Sequence, residues 1–130
     1  MTLKCMNSSI ELFHAIREKF PEFLEAADKE HVRIWDEVTP ETHYSWFESL
    51  ANAINELMSS GEMLDSMARL FEYLSEVDLS SGIEIKQLID VSFVENLFWE
   101  VSPGNAAKPW YLLPENLKKY YVEFHLGTPL

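Results

Sequence analysis

The stretch from Ile83 to Val101 constrains the fold of this chain more than any other. Apolar residues stand at Ile85, Leu88, Ile89, Phe93, Leu97 and Val101, the three-and-four spacing of a helical face. Val91, Val94 and Phe98 spread the apolar surface well beyond one stripe. A helix apolar on most sides belongs inside a domain with other helices packed round it. Residues 82–101 are therefore expected to form a central hydrophobic helix. The β-branched residues argue weakly for a strand, but the pattern runs for about nineteen residues, far longer than an ordinary strand.

The flanking segments repeat the helical rhythm. Asn7-Ser8-Ser9 offers an N-cap, and Ile10, Phe13, Ile16 and Phe20 make an apolar face up to Pro21, which restarts a helix after a bend. Phe23, Ala27 and Ile34 line its buried side as far as Trp35, so residues 7–35 read as a helix or a bent helix pair. Thr39-Pro40-Glu41-Thr42 has the form of N-cap, N1, N2 and N3. Tyr44, Phe47, Ala51, Ile54 and Met58 then face inward until Ser59-Ser60-Gly61 ends the helix. Leu64, Met67, Phe71, Leu74 and Val77 resume the pattern, with Asp65, Arg69, Glu72 and Glu76 opposite and Asp65–Arg69 spaced as an i, i+4 pair. Residues 40–78 are thus expected to be an antiparallel helical hairpin with acidic outer faces. Two prolines and a glycine predict an irregular loop over 102–113, and Pro114 opens a last helix over 114–126, with Leu117, Tyr120 or Tyr121, and Phe124 inward. The expectation is an all-α single domain of five to six helices.

The sequence Gln87-Leu88-Ile89-Asp90-Val91-Ser92-Phe93-Val94-Glu95-Asn96-Leu97, with Leu113-Pro114-x-x-Leu117 downstream, resembles small helical bacterial proteins encoded beside large secreted toxins. These include immunity proteins of the contact-dependent growth inhibition type. The two segments cover about an eighth of the chain and consist mainly of core-type residues. The resemblance implies a cytoplasmic, antitoxin-like protein that neutralises a cognate toxin C-terminal domain without chemistry of its own.

Charge carries the next argument. Twenty-two acids against ten bases leave a net charge of −12, which disfavours nucleic acid and anionic membranes as partners and suits a basic protein. Eleven of the acids and one base, Arg69, fall within residues 34–85. With 130 residues and 47% hydrophobic content, the chain is long enough to bury about two-thirds of its unfolded surface. No run approaches eighteen uncharged apolar residues, and the N-terminus is too short in apolar length for a signal peptide. Cys5 is the only cysteine, which rules out an internal disulfide and fits a reducing compartment.

Catalytic signatures are sparse. His14, His31, His43 and His125 show no metal-ligand spacing, and neither a Gly-x-Ser-x-Gly elbow nor a phosphate-cradling glycine loop occurs. No cofactor, metal or enzymatic activity is expected. The acidic segment is either a solvated face or a docking face. On the docking reading its charged residues are Asp36, Glu37, Glu41, Glu48, Glu56, Asp65, Glu72 and Glu76, with Trp35, Trp46 and Tyr73 as aromatic anchors. Trp110 and Tyr111, in the proline-bounded segment, make a second contact patch. The leading expectation is occlusion of a basic toxin domain, with a nuclease as the foremost class. An acidic adaptor or regulatory module with a non-toxin partner is the alternative, and the oligomeric state is left open.

Overall fold

The computed structural model describes residues 8–130; Asn7 and Cys5, which entered the sequence argument, lie outside them. Among the described residues there are seven α-helices and no strand. Helix α1 spans Ser9–Lys19, and a 3-10 turn at Pro21–Phe23 leads into α2, Leu24–Trp35. A second 3-10 turn, Pro40–Thr42, opens α3, His43–Ser60, which is followed by α4, Leu64–Ser80. Helix α5, Ile83–Gln87, runs into a π-helical segment, Leu88–Phe93, and a 3-10 turn, Val94–Asn96. Helices α6, Pro103–Leu112, and α7, Glu115–His125, complete the chain.

The local chemistry explains these limits. Ser8 caps α1 by accepting from the Glu11 amide at 3.2 Å. Thr39 and Thr42 form a reciprocal capping box at the start of the α3 segment. Gly61 ends α3 in the left-handed region at φ 75°, with the amides of Gly61 and Glu62 turned back onto Met58 and Leu57.

Helix α3, not the stretch 82–101, is the centre of the molecule. It packs along α2 and against α1, α6, the π segment and the turn after it. Four of its buried side chains carry N–H or oxygen groups; the Ser49 hydroxyl has no partner among the described residues, and His43, Trp46 and Asn55 each find one on a different element. His43 receives the Ser9 hydroxyl of α1 at 2.7 Å on Nε2, while its Nδ1–H donates to the Pro40 carbonyl at 2.7 Å. The Trp46 indole N–H donates to Asp28 of α2 at 2.7 Å, and Arg17 of α1 closes a two-pronged ion pair on the same carboxylate at 2.7 and 3.0 Å. The Asn55 amide holds the segment after the π turn, donating to the Asn96 carbonyl at 2.8 Å and accepting from the Phe98 amide at 2.7 Å.

Four expectations from the sequence need correction. Residues 82–101 are not one helix. Asn96 turns its side chain onto the Ser92 carbonyl at 2.9 Å, Leu97 is extended, and the chain leaves the helical path. The wide π turn keeps Leu88, Ile89, Ser92 and Phe93 buried together while Val91 faces out. Residues 103–112 are helical: Ser102 accepts from the Asn105 amide as N-cap, and Pro103 occupies the first turn. Pro109 lies inside α6, where it removes one intrahelical bond but buries its ring. Helices α3 and α4 do not form a hairpin; α3 pairs with α2, and α6 lies against both α3 and α4. Finally, Tyr44, Ile34 and Phe124, read as inward-facing, are exposed.

A second polar network locks α4 to α7. Asp78 is buried and accepts from the Tyr120 hydroxyl at 2.6 Å and from Asn116 Nδ2 at 3.0 Å. Asn116 also takes the Ser75 hydroxyl at 2.6 Å, and Lys86 donates to the Asp78 carbonyl. Burial, then the bond to Asp78 and the charges near it, push the Tyr120 hydroxyl far above the usual phenol range. An Asp78→Ala substitution removes the shared acceptor and is expected to lower unfolding free energy by about 3 kcal/mol, with Asp78→Asn milder because its amide oxygen still accepts. Urea unfolding of the two variants checks this, and equal losses would show that the acceptor is not what matters.

Asp28 sets a pH dependence. Burial alone would raise its pKa, but hydrogen bonds from Arg17 and Trp46 and the charges of Arg17 and His31 outweigh it and hold the carboxyl below its ordinary value. A lowered folded-state pKa contributes stability above the unfolded value, about 4, that is lost as pH falls through the folded one. Asp28→Asn is therefore expected to flatten the stability profile from about pH 4 downward. Thermal melts across that range, with parallel profiles for the two proteins, would exclude the effect.

Candidate functional site

Helix α6 crosses α4 so that a groove of about 360 Å³ opens between them, floored by Leu64, Ala68, Ala107 and Leu112. It continues through Ala68, Tyr111 and Leu112 into a second depression bordered by Glu72, Ser75, Glu76 and Pro114. Tyr111 stands over both with 84% of its surface exposed. Asp65, Glu72 and Glu76 rim the groove, and Lys108 is the cation that lines it. An apolar floor under an exposed tyrosine with carboxylates around it has the form of a protein-docking site.

Not every expected contact residue gathers there. Asp65, Glu72, Glu76 and Tyr111 do. Tyr73 lies on the adjoining side of α4, beside Phe20 and under the Lys19 ammonium, which is 5.5 Å from its ring. Lys19 and Arg69 share that depression with Glu72 and Glu76, so the surface is less acidic than the sequence window suggested. Arg69 does not pair with Asp65: it reaches Glu22 on the first 3-10 turn at 2.7 Å. Trp110 is half-buried, edge-on to Phe98 and Tyr121 with Lys118 over its face, and covers the core while Tyr111 projects.

Trp46 is fully buried and cannot be a contact residue; its place against Phe13, Phe47 and Asp28 is structural. Glu48 is half-buried on α3, and burial raises its carboxyl pKa. Trp35, at the end of α2, and Asp36, Glu37 and Glu41, in the connection to α3, are exposed and line neither part of the α4–α6 groove. Glu56 faces α2, so the acids expected on one docking face are divided among separate surfaces.

A second groove, of about 320 Å³, lies between α2, α3 and the turn after Asn96. Trp99 projects into it from that turn and is 68% exposed. The residues on either side, Phe98 at φ 68° and Glu100 at φ 56°, are both in the left-handed region. That conformation costs a non-glycine residue on the order of 1–2 kcal/mol, so the surroundings must impose it. Asn55 does so from beneath through the two hydrogen bonds already described.

A family model described as a domain of unknown function, DUF7674, matches residues 13–127, from the first turns of α1 to just past α7. The chain belongs to this family. Neither curated proteins nor solved structures yield a match. The DUF7674 assignment covers both grooves and brings no activity with it.

The chemistry available to this DUF7674 chain follows from its polar groups. Ser9 and His43 have the geometry of a hydroxyl beside a base, yet they are only 3% and 6% exposed, and the pair joins α1 to α3. Among the described residues no group of three His, Cys, Asp or Glu side chains is poised to hold a metal ion. Burial first, then Glu123 and Asp78, raise the Asp90 pKa, while Glu95 is raised by burial and Asp90 against the opposing pull of His125. These carboxylates crowd one another without converging on a cleft. No helix among the described residues is long and apolar enough to cross a membrane.

Trp99 was absent from the sequence-derived contacts because its run reads as continuous helix. The signal was Asn96, a residue that competes for helical carbonyls, followed by a tryptophan where the apolar rhythm needed no residue. Asn55→Ala is expected to destabilise the fold by about 2 kcal/mol through the unpaired Phe98 amide and Asn96 carbonyl. It should also lower the order parameter of the Trp99 indole in relaxation measurements. An unchanged indole would mean that another contact holds the turn.

Proposed function

We propose that this chain is an immunity-type protein that binds and neutralises a cognate bacterial toxin domain by covering its active site. The observation that carries the reading is the α4–α6 groove, with exposed Tyr111 over an apolar floor and Asp65, Glu72 and Glu76 around it. A tyrosine in such a setting supplies desolvated contact area, and the surrounding carboxylates guide a basic partner into register. A net charge of −12 adds long-range attraction for a positively charged domain such as a nuclease. The toxin-linked resemblance of residues 87–97 and 113–117 bears on fold alone: Leu88, Ile89, Phe93, Val94, Leu97, Leu113 and Leu117 are core, while Val91 is exposed. The protein acts as a stoichiometric plug in the cytoplasm and needs no cofactor.

The first test is to express the C-terminal domain of the adjacent upstream gene product in cells with and without this chain and to score survival. Rescue by this chain supports immunity, and toxicity without rescue removes the reading. With the pair in hand, Tyr111→Ala is expected to weaken binding by about 2 kcal/mol, chiefly through faster dissociation. Glu72→Lys with Glu76→Lys should slow association severalfold and flatten its salt dependence while leaving the melting temperature nearly unchanged. Binding indifferent to salt and to all three changes would place the interface elsewhere.

A further inference from the structure

We propose that the groove beneath Trp99 is a recognition slot for an arginine side chain presented by a partner protein. Three observations converge on it. Trp99 is an exposed indole on a turn whose backbone is strained and pinned at Phe98 by Asn55, so its point of attachment is fixed before contact. The groove also holds Glu30, Arg33, Glu56 and Glu100. Glu30 is bound by Arg33, at 2.6 and 3.3 Å, and Arg33 also feels the charge of Glu56, so one guanidinium is shared among the three carboxylates of the groove and Glu100 has no ion pair among the described residues. Ile34, on the same wall, offers apolar surface for an aliphatic stem.

An aromatic face, three carboxylates that share a single resident guanidinium and a short apolar wall together suit a second guanidinium. Its plane stacks on an indole while its edge donates to carboxylates, and its charge answers the negative excess of the groove. A lysine ammonium makes the charge contact but neither the planar stack nor the forked hydrogen bonds. The slot shares no residue with the α4–α6 groove, so it stands whether or not that surface meets a toxin.

The experiment uses the full chain labelled with nitrogen-15 and three blocked tripeptides, Gly-Arg-Gly, Gly-Lys-Gly and Gly-citrulline-Gly, titrated to millimolar concentrations at constant ionic strength. The arginine peptide should shift the Trp99 indole resonance saturably while leaving that of buried Trp46 in place. It should bind at least about fivefold more tightly than the lysine peptide, with the citrulline peptide at background. Trp99→Ala should abolish the saturable shifts in the surrounding amides, and Glu56→Gln and Glu100→Gln should each weaken binding severalfold. The unmoved Trp46 indole reports that each variant is folded. Equal response to all three peptides, shifts that survive Trp99→Ala, or no saturable shift would overturn the proposal.

Discussion

Burying helix α3 depends on partners for three large polar side chains on its inward faces, since only the small Ser49 hydroxyl is buried without one. A tryptophan N–H, an asparagine amide and an imidazole all lie within it, and each would carry a desolvation penalty if left alone. Their partners come from α1, from α2 and from the segment after the π turn. Hydrophobic contact alone tolerates sliding and rotation, whereas these bonds are directional. They therefore select one arrangement of the surrounding helices from the many that would bury similar apolar area. The Trp99 turn is one result: its left-handed residues persist because Asn55 has no better use for either end of its amide.

The same economy of cations shapes the surface. Ten basic residues cannot pair with twenty-two acids, and those placed by the fold serve local needs. Arg17 completes the Asp28–Trp46 link, Arg69 neutralises Glu22, and Lys86 covers the end of α4. Elsewhere the carboxylates are left to repel one another, as at Asp90 and Glu95, where the raised pKa values register the cost of keeping charge in a crowded, partly desolvated place. Acidity is thus spread over several surfaces and moderated on α4 by Lys19 and Arg69.

Much of the fold was legible because helical periodicity survives in the core. Phe47, Ala51, Ile54 and Met58, and Met67, Phe71, Leu74 and Val77, are buried as their spacing implied. The break inside 82–101 was hidden because a π turn and a 3-10 turn still place apolar residues inward at nearly helical intervals. Helix α6 was missed for a different reason. Ser102-Pro103 is the same cap-and-proline signal that correctly opened the α3 segment at Thr39-Pro40, but Gly104 and Pro109 obscured it. Of the candidate contacts, Tyr111 and the α4 acids share a groove because α6 is helical and crosses α4. That is tertiary information, as is the burial of Trp46, whose single N–H happens to meet Asp28.

The placement of α6 has a consequence in time. One wall of the groove beneath Tyr111 belongs to α4 and the other to α6, and α6 is in turn seated through the Phe98–Trp110–Tyr121 ring cluster that involves α7. During synthesis, the segment through α5 can emerge and begin to collapse while the groove does not yet exist. The groove is complete only once α6 and α7 have left the ribosome and docked. The groove is therefore a late product of long-range docking, and the folding of α4 by itself does not create it.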